Sequence, residues 1–186
     1  MKLIRCLPLM LAFVPVAALA QTPAPATPAA VSITPVADSV RAGLARYSKN
    51  MSAAADAMPA DKFSFKPTPD QITFGHLTLH IAESNFRFCS AVSGVAAPDA
   101  PKLADTDPKD KLVANVKASF DFCSTALAKV DDSHLADSIA LFPNRSFTRA
   151  GTMFILVGSW ADHYSAQSLY LRLNGVLPPT AQPASH

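Results

Sequence analysis

Apolar residues recur at helical spacing in four segments of the chain, and turn signals separate these segments. They cover residues 36–58, 73–93, 109–130 and 148–173. At a rise of about 1.5 Å per residue, each forms a rod of about 30 Å. No stretch shows sustained alternation of apolar and polar residues, the pattern of a half-buried strand. The sequence therefore predicts an all-α protein built as a four-helix bundle.

The ends of these segments carry helix stop signals. The first stops before Pro59, the second at Gly94, and the fourth at Asn174-Gly175 with prolines just beyond. A glycine after the last periodic residue, followed by proline, is typical of a helix end. The connections 95–108 and 131–146 are long for an antiparallel hairpin. We therefore expect at least one crossover between helices.

The first 20 residues have the pattern of a secretory signal peptide. Lys2 and Arg5 precede an apolar run over residues 7–19, and Ala18-Leu19-Ala20 forms a small-residue cleavage site. The run is short for a membrane span. We expect a periplasmic or secreted protein with a Pro/Ala/Thr-rich flexible spacer at residues 21–35, a bundle domain at 36–180 and a tail at 181–186.

Charge changes the expected partners. The 16 Lys and Arg residues, less Lys2 and Arg5, leave 14 against 14 Asp and Glu residues, so the mature chain has no formal net charge. Nothing in this balance favours nucleic acid as a partner, and we expect no stable membrane insertion after signal cleavage. A small-molecule ligand and a homodimer remain open.

The second helical segment carries two polar strips. A helical wheel places His76, Glu83 and Arg87 within about 60° of His80. Thr78, Ala82, Asn85 and Cys89 occupy the opposite side. One strip must face water, whereas the other can face a polar pocket inside the bundle.

The fourth segment carries a matching stripe around His163. The stripe contains Thr152, Ser159, His163, Gln167 and Tyr170. Sites in helix bundles are built from side chains on facing helices. Two helices that each present a histidine on a polar stripe therefore suit a metal site or an acid–base site.

Two motifs resemble the DinB-like (damage-inducible) metalloenzyme family. FKPTPDQITFGHLTLHIAESNFRFCSAVSG resembles the second helix of that family, with its central histidine, and ADHYSAQSLYLRLNGVLPPT resembles the last helix. The resemblance covers residues 36–180 and implies a four-helix bundle with up-down-down-up topology. It also implies a divalent metal, often Zn or Ni, held by three histidines.

Two of the three implied ligands are present at matching positions. His80 matches the histidine of the second helix and His163 matches the last histidine of the fourth, but Ser159 stands where the middle ligand is expected. His76, four residues before His80, can complete a variant three-histidine site, the type found in catalytic zinc centres. Asp162 can add an oxygen ligand, and Glu83 can act as a general base or support a ligand.

Simpler interpretations stand beside these. His76 can be a surface histidine, and Glu83 with Arg87 can form an exposed ion pair. Ser159, Asp162, Gln167 and Tyr170 can line a pocket, although Tyr170 can instead anchor the end of the bundle. Two functions follow: a metal-dependent transferase or hydrolase, or a non-enzymatic binding or structural bundle that has lost the metal. The sequence alone does not decide whether the protein is an enzyme.

Two cysteines, Cys89 and Cys123, remain after signal cleavage and are a candidate disulfide in an oxidising compartment. In the topology implied by the resemblance, the second and third helices run parallel, and the heights of the two cysteines differ by only about 3 Å. The alternative is a pair of buried free thiols. A catalytic cysteine is disfavoured because neither residue lies near the histidine stripe or an activating base.

Overall fold

The computed structural model describes residues 33–99 and 102–183; the predicted signal peptide and most of the spacer lie outside them. Four α-helices dominate this part of the chain: α1 (Pro35–Ala57), α2 (Phe74–Ser93), α3 (Lys109–Leu127) and α4 (Arg149–Leu173). Their bounds lie within a few residues of the predicted ones. A mostly helical, all-α fold with four helices is confirmed.

Capping residues fix the ends of the helices. The side chain of Thr73 accepts a hydrogen bond from the backbone N–H of His76 at the start of α2. α2 ends at Gly94, whose φ of 73° lies in the left-handed region that glycine tolerates. Asp132 caps α1 from far along the chain, because its carboxylate accepts from the N–H groups of Val36 and Ala37 at 2.9 Å each.

A short β-hairpin fills the connection before α4 and corrects the prediction of a strand-free linker. β1 (Ser138–Phe142) pairs antiparallel with β2 (Arg145–Thr148). β1 does alternate, with Ile139 and Leu141 buried between exposed neighbours. This alternation is too short to stand out in the sequence, and the hairpin is held by packing on α2 and α4.

Polar contacts tie the ends of the helices together. Lys109, at the start of α3, donates to the backbone oxygens of Asp56 and Met58 at the end of α1, at 2.6 and 2.7 Å. Arg149, at the start of α4, donates to the backbone oxygen of Val92 at the end of α2. Two short 3₁₀ turns, Ala60–Lys62 and Pro179–Ala181, complete the regular structure.

The core is apolar except for buried polar side chains, among which Asn85 and Ser119 form a hydrogen-bonded network with Trp160. Its largest fully buried side chains include Trp160, Phe74, Met51, Ile81 and Leu112. The Sγ atoms of Cys89 and Cys123 lie at disulfide distance, with their Cα atoms 5.2 Å apart, and link α2 to α3. None of the helices within the described ranges is long and apolar enough to span a membrane.

Candidate functional site

His80 and His163 meet at the seam between α2 and α4. Their ring centroids are 5.0 Å apart and the ring planes are nearly perpendicular, at 84°. Each histidine also approaches a serine on its own helix: Ser84 Oγ lies 3.4 Å from His80 Nε2, and Ser159 Oγ lies 3.2 Å from His163 Nδ1. The site is therefore a cluster of two imidazoles and two hydroxyls.

The histidine strip of α2 lies on the outside of the bundle. His76, His80, Glu83 and Arg87 are exposed, whereas Thr78 and Asn85 on the opposite strip are buried. The strip that enters the interior is thus the one without histidines. The His80–His163 pair lies at the surface end of the seam, where a ligand from solvent can reach it.

Burial changes the protonation of His163. Desolvation lowers the pKa of His163 below its usual value, and the nearby charge of His80 lowers it further. Asp162 opposes the shift but contributes least. His163 is therefore held toward its neutral form, in which one ring nitrogen has a free lone pair.

His76 and Glu83 do not join the pair. Among the described residues, no group of three or more His, Cys, Asp or Glu side chains is placed to hold a metal ion. His76 instead faces Asp105, with Nδ1 3.4 Å from its carboxylate. Within the described residues, the Glu83 carboxylate forms neither a hydrogen bond nor an ion pair. The simple ion pair between Glu83 and Arg87 is therefore absent as well.

Of the four predicted pocket residues, Asp162 and Tyr170 line one open cavity, whereas Ser159 and Gln167 lie in other surroundings. Ser159 belongs to the site, and Asp162 is exposed. Gln167 is fully buried and donates to the backbone oxygen of Met51 on α1 at 3.4 Å; its Oε1 has no partner within the described residues. Tyr170 donates to the backbone oxygen of Ile72 at 2.7 Å, and burial raises the pKa of its hydroxyl. Tyr170 thus anchors the end of the bundle.

Ser84 is the site residue that the sequence analysis missed. It follows His80 by four residues, the spacing at which two side chains share a helix face. Serine at this spacing is common by chance, so the signal was too weak to use.

The fold and the site define a helical bundle with a two-histidine seam. The model of the DinB superfamily matches residues 44–165, so the chain belongs to that superfamily. No curated protein matches the chain significantly.

Solved structures show the same fold. A DinB-like protein from Bacillus subtilis has a TM-score of 0.62 and 19% identity, covering 79% of this chain and 99% of that one. A DinB-like protein from Bacillus cereus has a TM-score of 0.62 and 14% identity, covering 76% and 95%. A histidine-to-alanine mutant of the mycothiol-dependent maleylpyruvate isomerase has a TM-score of 0.56 and 13% identity, covering 69% and 59%. At these identities, the likeness to the three structures shows a shared fold.

Proposed function

We propose that this protein is an exported DinB-type bundle that binds one divalent transition metal through His80 and His163. The separation of the two rings, 5.0 Å between centroids, carries the proposal. Two imidazoles bound to one tetrahedral metal at about 2.0–2.1 Å have ring centres about 5 Å apart. Outside ligands would take the remaining positions.

Protonation supports the same assignment. A histidine must be neutral to bind a metal, and burial lowers the pKa of His163. Imidazole ligands suit Zn and Ni, the metals that we expect. A metal held there supplies Lewis acidity toward a bound small molecule, the chemistry of a transferase or hydrolase.

The donor set does not fit a three-histidine centre. Ser159 supplies a neutral hydroxyl, a weaker ligand than imidazole for these metals. His76 is paired with Asp105 rather than with the site. We therefore expect weaker metal binding than in a three-histidine protein, and we assign no reaction step to this chain. The thiol in the isomerase's name is a class of molecule to test as an outside ligand.

A second candidate is a bundle without metal that binds a small molecule or has a structural role. The hydrogen bond between Ser159 and His163 favours it, because this contact gives the His163 ring a partner without any metal. The cysteine pair and the buried polar network also hold the bundle together independently of the site.

We also infer an up-down-down-up order of the helices. The contact of Lys109 with the end of α1 supports antiparallel α1 and α3, and the contact of Arg149 with Val92 supports antiparallel α2 and α4. Cys89 and Cys123 support parallel α2 and α3.

We infer as well that the protein is exported to an oxidising compartment and has no nucleic-acid partner. The cysteine pair agrees with export, and the balanced charge of the mature chain agrees with the absence of a nucleic-acid partner.

Metal binding by protein purified from the periplasm tests the proposal. We would titrate Zn and Ni by calorimetry into the wild type, His80→Ala, His163→Ala and the control His76→Ala. The proposal expects one site per chain that both seam variants lose and the control keeps. Loss in His76→Ala as well would contradict the two-histidine assignment.

A gain-of-ligand variant separates the two candidates. Ser159→His restores the missing histidine and should tighten binding at least tenfold over the wild type. If the folded wild type binds neither metal and Ser159→His binds one, the bundle without metal is the correct function. If neither protein binds, the seam is not a metal site and the first proposal fails.

A further inference from the structure

The outer face of α4 carries few charged residues for a helix that faces water. Phe154 is 72% exposed, Leu169 52% and Leu173 53%. Gly158, Ala161 and Ser165 are exposed between them. In contrast, the outer face of α3 carries charged side chains, namely Lys111, Lys117 and Asp121. A helix without a polar outer face is normally covered by another surface.

Charge on this face is confined to two residues of opposite sign. Asp162 and Arg172 are the only exposed charged residues of α4, and Arg46 of α1 lies beside the same surface. Neither Asp162 nor Arg172 forms a salt bridge within the described part of the protomer. A partner surface that places a positive group opposite Asp162 and a negative group opposite Arg172 would complement both.

We propose that a second copy of this chain covers this face over residues 161–173, with the two α4 helices packed antiparallel about a two-fold axis at the height of Gln167. Asp162 and Arg172 lie equally far from Gln167 on either side. Antiparallel packing about that point brings Asp162 of each copy level with Arg172 of the other. A two-fold interface repeats each contact, so two ion pairs form.

The same axis matches large side chains with small ones. Leu169 of one copy lies level with Ser165 of the other, and Leu173 lies level with Ala161. Small residues let helices approach closely while the leucines fill the space that is left. Parallel packing in register would instead place the Asp162 carboxylates of the two protomers side by side, and the repulsion between these like charges is unfavourable. The charges and the residue sizes thus select one orientation and one register.

Sedimentation of the periplasm-purified protein over a range of concentrations tests the proposal. The wild type should form a dimer, and Leu169→Glu should weaken the dimer at least tenfold. Val95→Glu is the matched control, because Val95 is an exposed apolar residue (47%) outside α4. A monomer at every concentration, or a dimer that Leu169→Glu does not weaken, would overturn the proposal.

Charge reversal tests the register directly. Asp162→Arg and Arg172→Asp should each weaken the dimer, because each places like charges together at two symmetric positions. The double variant restores both pairs with reversed polarity and should recover most of the wild-type affinity. Circular dichroism of each variant confirms that it is folded. Single variants that leave the dimer unchanged, or a double variant that fails to recover it, would rule out this packing.

Discussion

The indole N–H of Trp160 donates to Asn85 Oδ1 at 2.8 Å, which connects α4 to α2 in the centre of the bundle. The amide of Asn85 then donates to Ser119 Oγ on α3 at 2.9 Å. The hydroxyl of Ser119 in turn donates to the backbone oxygen of Val116. Both Asn85 and Trp160 are 1% exposed, so water cannot replace these bonds. One side chain thus fixes the relative positions of three helices.

Replacing Asn85 should destabilise the bundle strongly. Asn85→Leu leaves the Trp160 N–H without its buried acceptor and the Ser119 hydroxyl without its donor, a loss of about 2–4 kcal/mol. Urea unfolding followed by circular dichroism measures it. Asn50→Ala, at a half-buried position on α1, is the control and should change the unfolding free energy by less than about 0.5 kcal/mol. Equal effects at both positions would show that the network adds nothing.

The cysteine pair should contribute stability through the unfolded state. Cys89 and Cys123 are 34 residues apart in sequence, and a cross-link of that span stabilises by roughly 3–4 kcal/mol in the loop-entropy account. Reduction should lower the urea midpoint of the wild type by the corresponding amount. The double variant Cys89→Ala/Cys123→Ala should unfold at the lower midpoint with or without reductant. A wild type insensitive to reductant, with both thiols open to alkylation, would show that the bond does not form.

Stability should depend on pH through His163. Its folded pKa is lowered from 6.5, first by burial and then by the charge of His80. The unfolded chain therefore takes up a proton near pH 6.5 that the folded protein resists. The resulting stability is present above that pH and is lost as the pH falls toward the folded pKa.

Comparison with His163→Gln isolates this effect. The unfolding free energy of the wild type should fall relative to that of the variant between pH 8 and pH 5, because glutamine does not titrate. NMR titration of the imidazole should show the pKa of His163 below its ordinary value of 6.5. A parallel pH dependence in both proteins would exclude His163 as its source.

The start of α2 packs so closely on the chain before α3 that only glycine fits at residue 75. A Cβ at Gly75 would lie 2.4 Å from the backbone oxygen of Asp105, which a side-chain movement cannot relieve. Gly75→Ala should therefore destabilise the protein by about 1–3 kcal/mol. Gly43→Ala on α1 meets only ordinary contacts at 3.8 Å and should stabilise by about 0.4–1 kcal/mol. Thermal unfolding of both variants tests the contrast; a tolerated Gly75→Ala would contradict the close approach.

Much of the fold could be predicted because helices are local. The apolar spacing and the glycines at 94 and 175 act within one or two turns of chain, so the predicted helix bounds lie within a few residues of those in the structure. The hairpin at Ser138–Phe142 and Arg145–Thr148 was not predicted, because its strands are short and its stability comes from packing on other elements. Ser84 was missed because serine at this spacing is common by chance, and its contact with His80 depends on where the imidazole points.

By itself, the sequence determined the four helices and the family resemblance, and it predicted His80, His163 and His76 as candidate ligands. Only the tertiary structure decided which polar strip of α2 enters the core, because a helical wheel gives angles between side chains but no direction toward the neighbouring helices. The indole of Trp160 and the hydroxyl of Ser119 supply that direction by meeting Asn85. With Asn85 turned inward, the opposite strip faces outward, and His80 meets His163 at the surface seam.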